Sequence, residues 1–81
     1  MKAIYVCKTF YLNRAEAVAA DLMARGFRDI GCYHEMVFNG MLHVYMVYVW
    51  CEEKEVVPTR HKLAAAGYDP YLPGHDPCLP S

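Results

Sequence analysis

Residues 41–53, Met41 to Glu53, read MLHVYMVYVWCEE. The run is rich in Val, Tyr and Trp, the residue types of a β-strand. It does not alternate apolar with polar. Leu42, Val44, Met46, Tyr48 and Trp50 fall on one parity, and Met41, Tyr45, Val47 and Val49 on the other. Side chains of a strand point alternately to two faces. Both faces of this strand are therefore apolar, and what lies against each of them decides the fold.

The dipeptide before it sets the pairing. Asn39-Gly40 is the strongest short hairpin signal in the chain, since both residues tolerate the positive φ of a type I′ turn. A two-residue loop pairs Phe38 with Met41, and each step back pairs the next residues. One face then carries Ile30, Cys32, His34, Tyr45, Val47 and Val49; the other carries Tyr33, Glu35, Val44, Met46, Tyr48 and Trp50.

Working outward, KAIYVCKT predicts a first strand over Lys2 to Thr9. Asn13 is the expected N-cap of a helix through RAEAVAADLMAR, whose Ala15, Val18, Ala19, Leu22 and Met23 share one stripe, with Gly26 as the stop. RDIGCYHEMVF is the second strand. A second helix starts near Val56, because Pro58 fits only a first turn, and ends at Gly67. YDPYL is a short fourth strand with Pro70 at an edge, and PGHDPCLPS reads as an irregular tail.

The order is βαββαβ, and its halves are alike. A shift of 41 residues lays LMARGF (Leu22 to Phe27) on LAAAGY (Leu63 to Tyr68). A repeated unit of this kind predicts an α+β, ferredoxin-like sandwich over residues 1–72, with residues 73–81 as a Pro-rich tail. Two helices then cover one face of a four-stranded antiparallel sheet and leave the other open. Ile4 and Val6 are expected to join the β-branched face under the helices. Tyr5 and Cys7 are expected to join the aromatic one.

Composition limits the function. Eighty-one residues make one domain with a modest core. A hydrophobic share of 56% and seven tyrosines argue against disorder and for a large contact surface. A net charge of −1 argues against nucleic acid as partner, and strand 3 lacks the basic-Gly-aromatic pattern of RNA-recognition modules. No stretch has the apolar length of a signal peptide or a membrane span, which predicts a cytoplasmic chain. Cys7, Cys32, Cys51 and Cys78 are too widely spaced for a compact disulfide knot, so reduced thiols are expected.

Catalytic motifs are missing from the sequence. There is no phosphate-binding Gly-rich loop, HExxH, nucleophile elbow or CxxC. His34 is expected to be a satisfied, partly buried neighbour of Tyr45; His43 and His61 are expected in solvent. Cys51 beside Glu52 and Glu53 is poorly placed for a thiolate, since carboxylates raise a thiol pKa. Cys32-x-His34 and His75-x-x-Cys78 contain soft-ligand pairs, but their spacing matches no zinc finger or ribbon. No cofactor and no metal are expected.

Two resemblances bear on the role. AEAVAADLMARGF (Ala15 to Phe27) and KLAAAGY (Lys62 to Tyr68), each after a strand, resemble the two helices of SPOR domains. Over roughly residues 3–72 this implies a ferredoxin-like module that binds peptidoglycan glycan strands on its open sheet face. Where SPOR domains carry Gly-Ser-Phe or Gly-Pro-Phe after strands 1 and 3, this chain has Lys8-Thr9-Phe10 and Val49-Trp50-Cys51. In size, compactness and lack of motifs the chain also resembles, in kind, phage-encoded inhibitors of bacterial defence systems such as anti-CRISPR proteins. The expectation is a small non-enzymatic protein-binding module acting by occupying a partner's surface. Tyr5, Tyr33, Glu35, Met46, Tyr48 and Trp50 on the open face are the expected contacts, toward another protein or a second copy.

Overall fold

The structure, a computed structural model, describes residues 1–72. The expected tail over 73–81, with His75 and Cys78, lies outside the described residues. Strand β1 (Lys2–Thr9) leads to helix α1 (Leu12–Ala24), strands β2 (Ile30–Val37) and β3 (Leu42–Cys51), a 3₁₀ turn over Glu53–Glu55, and helix α2 (Val56–Ala65). The architecture is α+β: three antiparallel strands in the order β1-β3-β2, with the doubly apolar strand β3 in the centre.

The expected fourth strand is reduced to one antiparallel bridge. Tyr71 exchanges two backbone hydrogen bonds with Tyr5, at 2.8 and 2.9 Å, on the edge of β1. Pro70 has no N–H to donate, so a ladder cannot run through it.

The β2–β3 register is the expected one: Ile30 faces Val49, Cys32 faces Val47 and Tyr33 faces Met46. The loop differs from expectation. It takes four residues, Phe38 to Met41, closed by the Met41 N–H on the Phe38 carbonyl at 3.1 Å. Asn39 (φ 57°) and Gly40 (φ 83°) are left-handed as expected, and so is Phe38 (φ 53°). Both loop lengths sum to the same pairs, so the faces are unaffected.

A β-bulge changes β1. Ile4 faces Val49 and Tyr5 faces Tyr48, but Cys7, not Val6, faces Val47. The extra residue reverses the parity of the rest of the strand. Cys7 is therefore buried in the core instead of lying on the open face, and Lys8, facing Met46, takes a place on that open face. Thr9 is carried inward with Cys7 and is fully buried. Its Oγ1 accepts the Tyr11 N–H at 3.2 Å, which satisfies the hydroxyl at the entry to α1.

The core joins Ile4, Val6, Cys7, Val47 and Val49 of the sheet to Ala15 and Leu22 of α1 and Leu63 of α2. Both helices thus lie on one sheet face. Helix α1 is capped by Tyr11 rather than Asn13, whose Oδ1 accepts the neighbouring Arg14 N–H. Both helices end in the same device. Phe27 N–H bonds Leu22 O and Gly26 N–H bonds Met23 O; Tyr68 N–H bonds Leu63 O and Gly67 N–H bonds Ala64 O. These are Schellman ends, with Gly26 (φ 93°) and Gly67 (φ 94°) in the left-handed position. The 41-residue repeat in the sequence is this motif twice over. In each copy the leucine is fully buried and the aromatic packs beside it on the core.

Candidate functional site

The helix-free face carries a row of aromatic rings. Tyr5 and Tyr48 are directly opposed on adjacent strands. Their rings meet edge to face, with centroids 5.8 Å apart and planes at 80°. Trp50, two residues along β3 and therefore on the same side, meets Tyr48 edge to face at 5.5 Å and 88°. Tyr71 stacks on the other side of Tyr5 at 5.5 Å and 29°. All three separations are those of favourable aromatic pairs.

A glycine makes the row possible. Gly31 faces Tyr48 from β2, and a Cβ on it would overlap the Tyr48 ring. The ring lies over the bare glycine backbone, which holds its orientation toward Tyr5 and Trp50. A glycine inside a strand marks a close approach of this kind, and that was the available signal. The bulge that brings Lys8 to the face has no comparable signal in the sequence.

All six expected contact residues stand on this face by register. Tyr33 and Trp50 are exposed at 51% and 41%, and Glu35 is exposed as well. Tyr5, Met46 and Tyr48 are half-buried between them. Val44 shares the face but is buried. Chemically the surface is an amphipathic aromatic patch with Glu35 on the β2 side and Lys8 on the β1 side. It offers apolar area and phenol and indole hydrogen-bonding groups.

The other candidate groups lie elsewhere. His34 is exposed instead of partly buried. Burial on the helix side falls along β3 from Val49 and Val47 through half-buried Tyr45 to exposed His43, so the helix layer stops short of His34. His34 is sandwiched instead, stacked on Tyr45 at 4.7 Å and on His43 at 5.0 Å, with its Nε2 2.8 Å from His43 Nδ1. One of those nitrogens must be unprotonated to accept. His61 is exposed on α2.

Cys7, Cys32 and Cys51 are free thiols; Cys7 and Cys51 are buried and Cys32 is exposed. Partial desolvation pushes the Cys32 thiol up, with Cys7 and Glu16 adding to the shift, away from a reactive thiolate. Among the described residues no three His, Cys, Asp or Glu side chains converge as a metal site. Of the Cys32, His34, His75 and Cys78 set, the second pair falls outside them. No helix among the described residues is long and apolar enough to cross a membrane.

One carboxylate is strongly engaged. The Tyr68 hydroxyl donates to Asp21 Oδ2, and Arg25 Nε donates to the same oxygen at 2.8 Å. The Tyr68 bond, then Arg25, holds the Asp21 carboxyl below its ordinary 3.8. Desolvation first, and then the Asp21 carboxylate, raise the Tyr68 phenol to about 12. This group ties the helix ends together and lies off the aromatic face. Near it, an open cleft of about 260 Å³ runs past Phe27, Arg28, Asp29, Trp50, Glu55 and Lys62.

No protein-family model matches the chain, and no curated protein or solved structure matches it either.

Proposed function

We propose that this chain is a non-enzymatic protein-binding module that works by covering a partner's surface with its open sheet face. The observation that carries this reading is the row Tyr71, Tyr5, Tyr48 and Trp50, held in place over Gly31 and flanked by exposed Tyr33. Tyr and Trp are the residues most enriched among energetically dominant interface contacts. Rigid rings lose little entropy on binding, and here they are already ordered by one another. The mechanism is steric: the module needs only to occupy a site that another molecule would use.

The bridge of Tyr71 to the edge of β1 supports the finer, ferredoxin-like reading, in which a fourth strand lies beside β1. A cytoplasmic location goes with this proposal. The partner class is a subunit of a bacterial defence complex, as the resemblance in kind to phage-encoded inhibitors suggests. The test is capture of purified defence-complex subunits by the immobilised chain and by its Trp50→Ala and Tyr33→Ala variants. Retention by the parent and loss in both variants supports the reading. Equal retention by all three, or retention only on denuded peptidoglycan glycan strands, overturns it, the latter in favour of a SPOR-type role.

A further inference from the structure

We infer that two copies of this chain join through the outer edges of β2, antiparallel, about a two-fold axis that passes through Tyr33 normal to the sheet. The surface is the outer edge of β2, which adjoins the open face at Tyr33, and it depends on backbone groups.

β2 is an edge strand, and the described residues pair only its inner side. The hydrogen bonds at the strand ends determine which groups face outward. Trp50 N–H donates to Asp29 O at 2.7 Å, and Tyr5 spends both its backbone groups on Tyr71. Antiparallel ladders alternate bonded and non-bonded pairs. The odd-numbered residues of β2 therefore bond to β3, and Cys32, His34 and Met36 turn both N–H and C=O outward. Ile30 turns out only its C=O, because its N–H is folded back on Arg28 O at 2.9 Å.

Edge strands left in solvent are normally blunted by lysine, proline, a bulge or a covering segment. The chain does cover part of the β1 edge, with Tyr71. Among the described residues β2 shows none of these devices: IGCYHEMV contains no lysine and no proline, its register with β3 is unbroken, and Tyr33 and Met36 are exposed on it. An extended strand is the chemistry that satisfies such an edge.

A second copy of the same strand fits, and it fits in one register. Centred on Tyr33, Cys32 and His34 exchange bonds with His34 and Cys32 of the second copy. Met36 N–H meets Ile30 O of the second copy. Pairing then stops at both ends together, where the second copy's Ile30 N–H is already used and the first copy's Phe38 turns left-handed. Centred on His34, left-handed Phe38 would fall opposite Ile30, leaving the Ile30 carbonyl without a strand partner and Phe38 away from Arg28. Centred on Glu35, like charges would face each other, which is destabilising. In the chosen register the loop of each copy reaches Arg28 of the other, at the mouth of the 260 Å³ cleft. Phe38, 72% exposed, then has a guanidinium to lie against. The product is a continuous six-stranded sheet, two sets of the three strands β1, β3 and β2, with all helices on one side.

Light scattering across concentration on the full chain tests this directly. The expected mass rises to that of two chains. Tyr33→Lys places two like charges at the axis and is expected to weaken self-association at least roughly tenfold. Met36→Pro removes an outward N–H without touching the β3 ladder or the open face, and is expected to abolish the dimer while circular dichroism is unchanged. In a Cys32→Ser background, Tyr33→Cys is expected to form an intermolecular disulfide, because directly opposed non-hydrogen-bonded residues lie within disulfide reach. A chain that stays monomeric to about 1 mM overturns the inference. So does a dimer that both edge variants leave intact but Trp50→Ala dissolves, which would place the contact on the open face. Equal partner capture by the parent, Trp50→Ala and Tyr33→Ala with the dimer retained would count against the open-face reading alone.

Discussion

Tyr68, the residue after the glycine that ends α2, donates its hydroxyl to Asp21 in the last turn of α1. The bond spans the two halves of the internal repeat. Phe27 occupies the equivalent place after α1 and has no hydroxyl, so the repeat is broken chemically at the point where the halves meet. The bond also fixes the relative position of the two helix ends, each of which buries its leucine against the same sheet face.

That pair makes the stability of the fold depend on pH at both extremes. Asp21 has its carboxyl held down in the folded chain, so its contribution is present above the ordinary value of 3.8 and is lost as pH falls through the lower folded value. Tyr68 has its phenol raised, so its contribution is complete below the ordinary 10.0 and is lost as pH rises toward about 12. Ultraviolet titration is expected to show one tyrosine ionising near 12. Tyr68→Phe is expected to remove that step and to flatten the acid limb of a melting-temperature profile. An unchanged acid limb in the variant would detach Asp21 from Tyr68.

The hairpin loop supplies a second expectation. Gly40 has φ of 83° and open space around it, so any cost of a side chain there is a backbone cost. Gly40→Val is expected to destabilise by about 1–2 kcal/mol, the penalty for a left-handed residue with a Cβ. Phe38 stands in the same region at φ 53°, so Phe38→Gly is expected to leave stability level or raise it slightly. Chemical denaturation of both variants checks the pair; equal losses would mean that the loop is not held left-handed.

Much of the fold is legible in the sequence because it rests on local chemistry. Asn39-Gly40 determines which residues of β2 and β3 face each other, and Pro58 the start of α2. The leucine-to-glycine spacing marks both helix ends. The features that are not legible depend on tertiary context. Val6 is an ordinary strand residue, and nothing in KAIYVCKT distinguishes a bulge from a straight strand, so Cys7 and Lys8 change sides unannounced. His34 has the parity of a buried residue, but parity does not say how far a helix layer extends. Asn13 is a good cap by type, yet the buried Thr9 hydroxyl holds the chain at Tyr11, and the helix starts before Asn13. Within the aromatic face, the six residues follow from register alone; the support of Tyr48 by Gly31 needs the ring in place.

Gly31→Ala is the expected way to disturb that face without emptying the core. The new methyl group overlaps the far end of the Tyr48 side chain, which can swing aside. The displaced ring then loses its edge-to-face contacts with Tyr5 and Trp50, each worth roughly 0.5–1.5 kcal/mol. The variant is expected to remain folded and to bind its partner more weakly. Changed tryptophan fluorescence with a melting temperature lowered only by that modest loss, about 4–8 °C per kcal/mol in a domain of this size, would report the ring's movement. A severe loss of stability would show instead that Tyr48 is part of the core.

The two faces of the central strand can be set against each other in one experiment. Val47 is fully buried beneath the helices, and Trp50 is 41% exposed three residues away on the opposite side. Val47→Ala empties part of the core and is expected to cost about 1–3 kcal/mol of folding stability. Partner binding by the folded fraction should be unchanged, since Val47 points to the helix side. Trp50→Ala removes a half-exposed ring held by a single aromatic neighbour among the described rings, Tyr48. Its effect on folding is expected to be the smaller of the two, while partner binding should weaken by roughly 2 kcal/mol or more if the ring sits at the centre of the contact. The contrast matters more than either value. Should Trp50→Ala unfold the chain as readily as Val47→Ala, with binding by the folded fraction intact, the aromatic row is a second core layer and the case for a binding face ends there.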